Sequence, residues 1–198
     1  MLGRQGRRII IITCYRVSQV SSVGLEDTNT AFIQQQTILR KSGLQSPCPR
    51  KECLAELANF IIMVEAKGHE VILSIDANEA VYSYRSALPE FLSQTTLVDT
   101  ISHMHGDLAP KTYLRGHRRI DYVFASESLL PHLRRSGHLG ILDAIPSDHV
   151  GIWLDFDGTE IVRGATEQLG SIQQKPFTMR DTTQLKKFTD TVETHLVE

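Results

Sequence analysis

Three short strings carry the residues best suited to chemistry. Ser74-Ile75-Asp76-Ala77-Asn78 closes an apolar run. In extended backbone, residues i and i+2 point to the same side. Asp76 and Asn78 would then present a carboxylate and an amide oxygen together, a hard donor pair suited to Mg²⁺ or Mn²⁺. The amide N–H groups would be left to hold a phosphate oxygen. Asp and Asn are also common in plain strand-end turns. Arg118-Arg119-Ile120-Asp121-Tyr122 places a carboxylate inside an apolar strand, where it is costly unless paired. Its partner is a histidine, a metal ion or a neighbouring arginine. Ser147-Asp148-His149 sets a carboxylate beside an imidazole, offering one metal ligand and one group that titrates near neutral pH, or simply a turn. Arg115, His117, Arg118 and Arg119 make the densest basic patch, suited to phosphate-backbone contact or to a solvated face. His103, His105 and Asp107 read as a loop rather than a metal cluster, because Met104 and Gly106 interrupt them.

Regular elements must position these strings. The β-branched run Ile9–Cys14 predicts a strand buried on both faces. A helix capped by Asp27 or Thr28 runs to about Lys41, with Gly43 past its end. Pro47 and Pro49 break the chain before a second helix to about Lys67. There Leu54, Leu57, Ala58, Ile61 and Ile62 share one face, and Gly68 stops it. Val71–Ile75 is a strand and Pro89–Leu92 a helical turn. Arg119–Ala125 alternates as a strand, with Ile120, Tyr122 and Phe124 on one face. A short helix over Leu129–Arg135 and strands over His138–Asp143 and His149–Phe156 follow. Strands alternating with helices, then strands in succession, predict an α/β or α+β fold with a mixed sheet.

Composition narrows the function classes. The chain of 198 residues is 41% hydrophobic and 22% charged, which excludes disordered, collagen-like and coiled-coil classes. Lys plus Arg number 21 against 23 Asp plus Glu, so nucleic-acid binding must rest on local patches rather than on a global field. Cys14, Cys48 and Cys53 form no CxxC and make an odd count, against a disulfide framework or structural zinc. No apolar run approaches the ~18–20 residues of a membrane span. No signal peptide is evident after Arg7-Arg8, and the expected location is intracellular, in nucleus or cytoplasm.

The order of the three strings, strand–DxN, then Arg-Ile-Asp-Tyr, then Ser-Asp-His before a closing strand, resembles the endonuclease/exonuclease/phosphatase family of deoxyribonuclease I-like phosphodiesterases. Thr13-Cys14-Tyr15-Arg16, Leu97-Val98-Asp99 and Pro110-Lys111-Thr112-Tyr113 fit the same resemblance, which covers roughly residues 8–156. It implies Mg²⁺- or Mn²⁺-dependent phosphodiester hydrolysis. The catalytic residues would be Tyr15, Asp76, Asn78, Asp121 and His149, and the metal ligands Asp76, Asn78 and Asp148. Asp121 would orient His149, and Tyr15 would contact the phosphate or the nucleophile. Arg115, Arg118 and Arg119 would contact nucleic acid. The implied fold is part of a four-layer α/β/β/α sandwich whose N-terminal portion is missing, because only eight residues precede Ile9. In the family, that portion supplies an Asn and a metal-binding Glu. Such a truncated sandwich would expose an apolar sheet face, bind Mg²⁺ weakly and cleave poorly. Residues 157–198 read as an extension: a linker and an amphipathic helix near Asp181–Leu196, similar to what joins an endonuclease to a reverse transcriptase in retroelements. The implied function is an endonuclease acting on DNA, or on RNA, in a retroelement context. The alternative is a catalytically dead remnant serving as a nucleic-acid-binding or interaction module.

Overall fold

A computed structural model describes residues 8–19, 30–84, 86–139 and 147–161. They all fall in the first of two compact units, Met1–Ala165. The expected caps Asp27 and Thr28, most of the strand expected over His138–Asp143, and the C-terminal helix near Asp181–Leu196 lie outside the described residues.

The fold is α/β with a mixed sheet. Strand β1 (Ile9–Tyr15) is followed by helices α1 (Ala31–Lys41) and α2 (Pro49–Ala66), which return the chain to β2 (Glu70–Asp76). This crossover makes β1 and β2 parallel, paired from Ile9 with Glu70 to Tyr15 with Asp76. Helix α3 (Leu88–Gln94), strand β3 (Leu97–Asp99) and helix α4 (Thr100–His105) come next, and then strand β4 (Asp121–Ser126). β4 inserts antiparallel between β2 and β3, giving the order β1-β2-β4-β3. After a 3-10 segment at Glu127–His132, β5 (Leu133–His138) and β6 (Ile152–Phe156) form a separate antiparallel pair, and α5 (Gly158–Ile161) follows.

The helices end where the backbone needs glycine. Gly43 and Gly68 have φ of 99° and 75°, a region that costs other residues a Cβ clash. Thr30 caps α1 by accepting from the Ile33 N–H. α2 turns Leu54, Ala58, Ile61 and Val64 onto Val71, Leu73, Ile75, Tyr122 and Phe124 of the sheet, forming the main core with Leu88 and Phe91 of α3. Ile61, Val71, Leu73 and Phe124 are completely buried, so truncating any of them to alanine would cost about 2–5 kcal/mol. A smaller cluster on the opposite sheet face joins Ile9, Ile72 and Ala125 to Phe156 of β6 and Ile161 of α5.

Several local expectations are revised. β1 is not buried on both faces: it is an edge strand of its sheet among the described residues, and Ile11 and Tyr15 are 62% and 60% exposed. A continuous apolar run does not distinguish one covered face from two, and here the helices cover only the Ile10, Ile12 and Cys14 side. Ile62 of α2 points to solvent, while Val64 takes its place in the core. The helix expected over Leu129–Arg135 is a 3-10 segment starting at Glu127, and β5 begins at Leu133. His103 and His105 lie in α4 rather than in a loop.

Candidate active site

Register builds the site. Tyr15 lies opposite Asp76, and Asp76 opposite Asp121, so the three form one row across β1, β2 and β4. Directly paired residues share a face, and this row faces away from α2 and α3, whose side of the sheet is taken by Cys14, Ile75 and Tyr122. β2 ends and β4 begins at this row, so its side chains stand at a sheet end, where groups can reach a ligand.

His149 comes to the row from a distant segment. Thr112 and Tyr113 carry it: Tyr113 and His149 form an antiparallel bridge, Leu114 N–H donates to the Asp148 carbonyl at 2.8 Å, and Val150 N–H donates to the Thr112 carbonyl at 2.8 Å. The Tyr113 and His149 rings lie 5.1 Å apart between centroids. Buried Thr112 also accepts from the N–H groups of Ile120 and Asp121, both at 3.0 Å, so one hydroxyl fixes the start of β4. The His149 Nδ1 sits 3.0 Å from both Asp121 carboxylate oxygens. An ionised carboxylate can only accept, so Nδ1 carries the proton and Nε2 keeps a lone pair. Of the partners open to Asp121 from sequence, the structure selects histidine.

The ligand atoms of Asp76, Asp121 and His149 all lie within 4.8 Å of one another. Burial first, and then the charge of Asp121, hold the Asp76 carboxyl above its ordinary value. The Asn78 N–H and the nearby His149 and Arg50 side chains oppose that shift without cancelling it. Two carboxylates with an imidazole, under mutual repulsion and partly removed from water, suit a divalent cation. Hard oxygen donors match Mg²⁺ or Mn²⁺ in kind.

Asn78 and Asp148 take other positions than expected. The strand stops at Asp76, and Asn78 adopts a left-handed φ of 50°, its N–H donating to Asp76 Oδ1 at 3.0 Å. The i, i+2 alignment of an extended strand therefore does not apply. The Asn78 amide donates to the Arg16 carbonyl at 2.7 Å, and its oxygen accepts from Ser18 at 3.1 Å. Asp148 pairs with Arg115 at 3.2 Å. Of the expected basic residues, Arg115 and Arg118 are exposed. Arg119 turns inward, forming a two-pronged pair with Asp99, donating to Ser102 at 3.0 Å and covering the Tyr122 ring at 4.6 Å. It is therefore a structural arginine, not a free phosphate ligand.

A buried ionic hub behind the row escaped the sequence reading. Arg16 and Arg50 flank Glu79 at 2.8 and 2.7 Å. Arg16 also donates to the carbonyls of Arg50 and Ala77, and Arg50 to those of Val17, Ala77 and Asn78. Glu79 accepts from Ser86 and from the Ala87 N–H. The hub clamps the Ala77–Glu79 turn against the end of β1 and the start of α2. One signal was available: Arg50 sits in the first turn of α2, where a cation opposes the helix dipole, so something other than helix stability must hold it there.

No protein-family model matches this chain, and no curated protein does. Solved structures similar to it include the 3′-5′ exonuclease NExo from Neisseria meningitidis, at 19% identity and TM-score 0.46, covering 54% of this chain and 53% of that one. The catalytic domain of Xenopus laevis APE2 matches at 15% identity and TM-score 0.43, covering 54% and 43%. The mannosyl-6-phosphatase Bt3783 of Bacteroides thetaiotaomicron matches at 24% identity and TM-score 0.39, covering 55% and 46%. The chain thus spans about half the length of the structures it matches.

Proposed function

We propose that this chain is a phosphodiester hydrolase of the endonuclease/exonuclease/phosphatase type, acting on DNA in a retroelement context. The observation that carries this reading is the Tyr15–Asp76–Asp121 row completed by the Asp121–His149 pair. In this reading Asp76 is the principal metal ligand, with Asp121 and His149 at its side. Mg²⁺ or Mn²⁺, when bound, supplies charge neutralisation for the phosphate and for the leaving oxygen.

The chain's own residues account for the rest of the chemistry. Asp121 holds the imidazole with its proton on Nδ1, so Nε2 accepts a proton from the attacking water. The imidazolium formed is stabilised by the same carboxylate. The Tyr15 hydroxyl, exposed on the same row, donates to a phosphate oxygen. Asn78 acts by holding the turn after Asp76 through Arg16 and Ser18. Arg115 and Arg118 meet the nucleic-acid backbone, with Asp148 orienting Arg115.

A supercoiled-plasmid nicking assay on the full chain in Mg²⁺ and Mn²⁺ tests the reading. Slow, metal-dependent nicking is expected, lost in both Asp76→Asn and His149→Ala. Nicking that survives both substitutions would overturn it. Absence of nicking with retained DNA binding would replace it by a nucleic-acid-binding module.

A further inference from the structure

On the helix side of the sheet, away from the acidic row, two thiols meet. Cys14 lies in β1 and Cys53 in the second turn of α2, and their sulfurs are 3.9 Å apart. All three cysteines are free thiols. Cys14 and Cys53 both line an open cavity of about 400 Å³ between α1, α2 and β1. Ile38, Leu39 and Leu57 form its apolar wall, and Glu52 and Glu56 line it as well. A sulfur pair in contact, with a route in from solvent, is a meeting that the spacing of the three cysteines along the chain does not show.

The surroundings make the two sulfurs unequal. Cys14 and Cys53 share an S–H···S hydrogen bond, and Arg16 and Arg50 add positive charge beside Cys53. Against burial and the Glu56 carboxylate, these hold Cys53 down at about 7. Cys14 is pushed up by the same hydrogen bond and by its own burial. A thiolate whose pKa lies near ambient pH is the most effective attacker in disulfide exchange, and a thiol in contact with it can resolve the product.

We propose that Cys14 and Cys53 form a reversible dithiol–disulfide site that exchanges with small, uncharged disulfides. The Cys53 thiolate attacks one sulfur of RS–SR, forming Cys53–S–SR and releasing RS⁻. Cys14 loses its proton to solvent and attacks the Cys53 sulfur, which releases the second RS⁻ and closes the Cys14–Cys53 bond. The two protein thiols are oxidised, and one disulfide is reduced to two thiols. The sulfurs must close from 3.9 Å to about 2.05 Å, a movement within reach of side-chain rotation. Glu52 and Glu56 at the cavity disfavour anionic partners. The bond would tie β1, one residue before Tyr15, to α2, three residues after Arg50, and so brace the hub behind the acidic row.

Peptide mapping decides the matter, because trypsin places the three cysteines in different peptides: Cys14 in Ile9–Arg16, Cys48 in Ser42–Arg50 and Cys53 in Glu52–Lys67. Treating the folded full chain with 2-hydroxyethyl disulfide near pH 7 should remove two hydrogens from the intact mass and join Ile9–Arg16 to Glu52–Lys67. Dithiothreitol should reverse this. Cys14→Ser should trap a mixed disulfide on Cys53, Cys48→Ser should behave as the unsubstituted chain, and urea should abolish the pairing preference. Cross-links through Cys48, a stable mixed disulfide in the unsubstituted chain, or thiols that stay unreacted would overturn the site. Oxidised glutathione reacting as fast as the uncharged reagent would overturn the preference for an uncharged partner.

Discussion

Replacing Glu79 by glutamine removes the one anion from a cluster that holds two arginines out of water. The Arg16 and Arg50 side chains are 2% and 5% exposed, and that of Glu79 is 14% exposed. Breaking a buried ion pair by neutralising one partner costs about 3–5 kcal/mol, because the remaining charge stays buried and uncompensated. Here the carbonyls of Arg50, Val17, Ala77 and Asn78 still accept from the guanidinium groups, which places the cost near the lower end, about 3 kcal/mol. A folded domain has about 5–15 kcal/mol in total, so the variant should fold but be visibly weakened. With a urea slope of about 2 kcal/mol per molar, the midpoint should fall by about 1.5 M. Circular dichroism, together with fluorescence of the single tryptophan, Trp153, reads that transition. The pH dependence supplies an independent check. Burial pushes Glu79 up, but its hydrogen-bonded ion pairs with Arg16 and Arg50 outweigh burial, and its pKa lies below the ordinary 4.5. A depressed folded pKa gives stability that is present above the unfolded value and lost as pH falls through the folded one. The gap between the unsubstituted chain and Glu79→Gln should therefore be full at pH 7 and close below about pH 4.5. A midpoint change worth less than about 1 kcal/mol, or a gap independent of pH, would refute the clamp.

Thr112→Val keeps the shape of a buried side chain but removes the acceptor for the Ile120 and Asp121 N–H groups; it should cost about 1–3 kcal/mol in urea unfolding and loosen the Asp121–His149 pair, read as displaced His149 ring-proton resonances. At Gly116 an added Cβ would lie 2.8 Å from Tyr113 Cδ1, so Gly116→Ala should turn the Tyr113 ring and shift the His149 ring resonances. The Asp157 carboxyl should titrate at about 2 by NMR, held down first by the Thr159 hydroxyl and then by Arg134; Thr159→Val and Arg134→Ala should each raise it. Because that folded pKa is depressed, the local contribution of Asp157 is present above about pH 4 and lost as pH falls toward 2.

Much of the scaffold is local in origin and therefore legible along the chain. The β-branched run of β1, the apolar stripe of α2 and the glycines after α1 and α2 act through neighbours a few residues away, and periodicity and turn chemistry report such neighbours directly. The residue types of the acidic row were legible too, since a carboxylate inside an apolar strand must find a partner. Which partner it finds was a tertiary matter. Asp121 meets His149, and Arg119 meets Asp99, because β4 inserts between β2 and β3 and the Tyr113 segment carries His149 across to it. Asn78 left the place an extended strand would give it because the strand stops at Asp76 and the Arg16 carbonyl claims its amide. Glu79 between two arginines, and Cys14 against Cys53, are meetings across 29 to 63 residues of chain. Sequence by itself determined which groups could do chemistry and which elements would carry them. Only tertiary structure decided which of those groups touch, because long-range pairing depends on strand order and register, and neither leaves a mark on local periodicity.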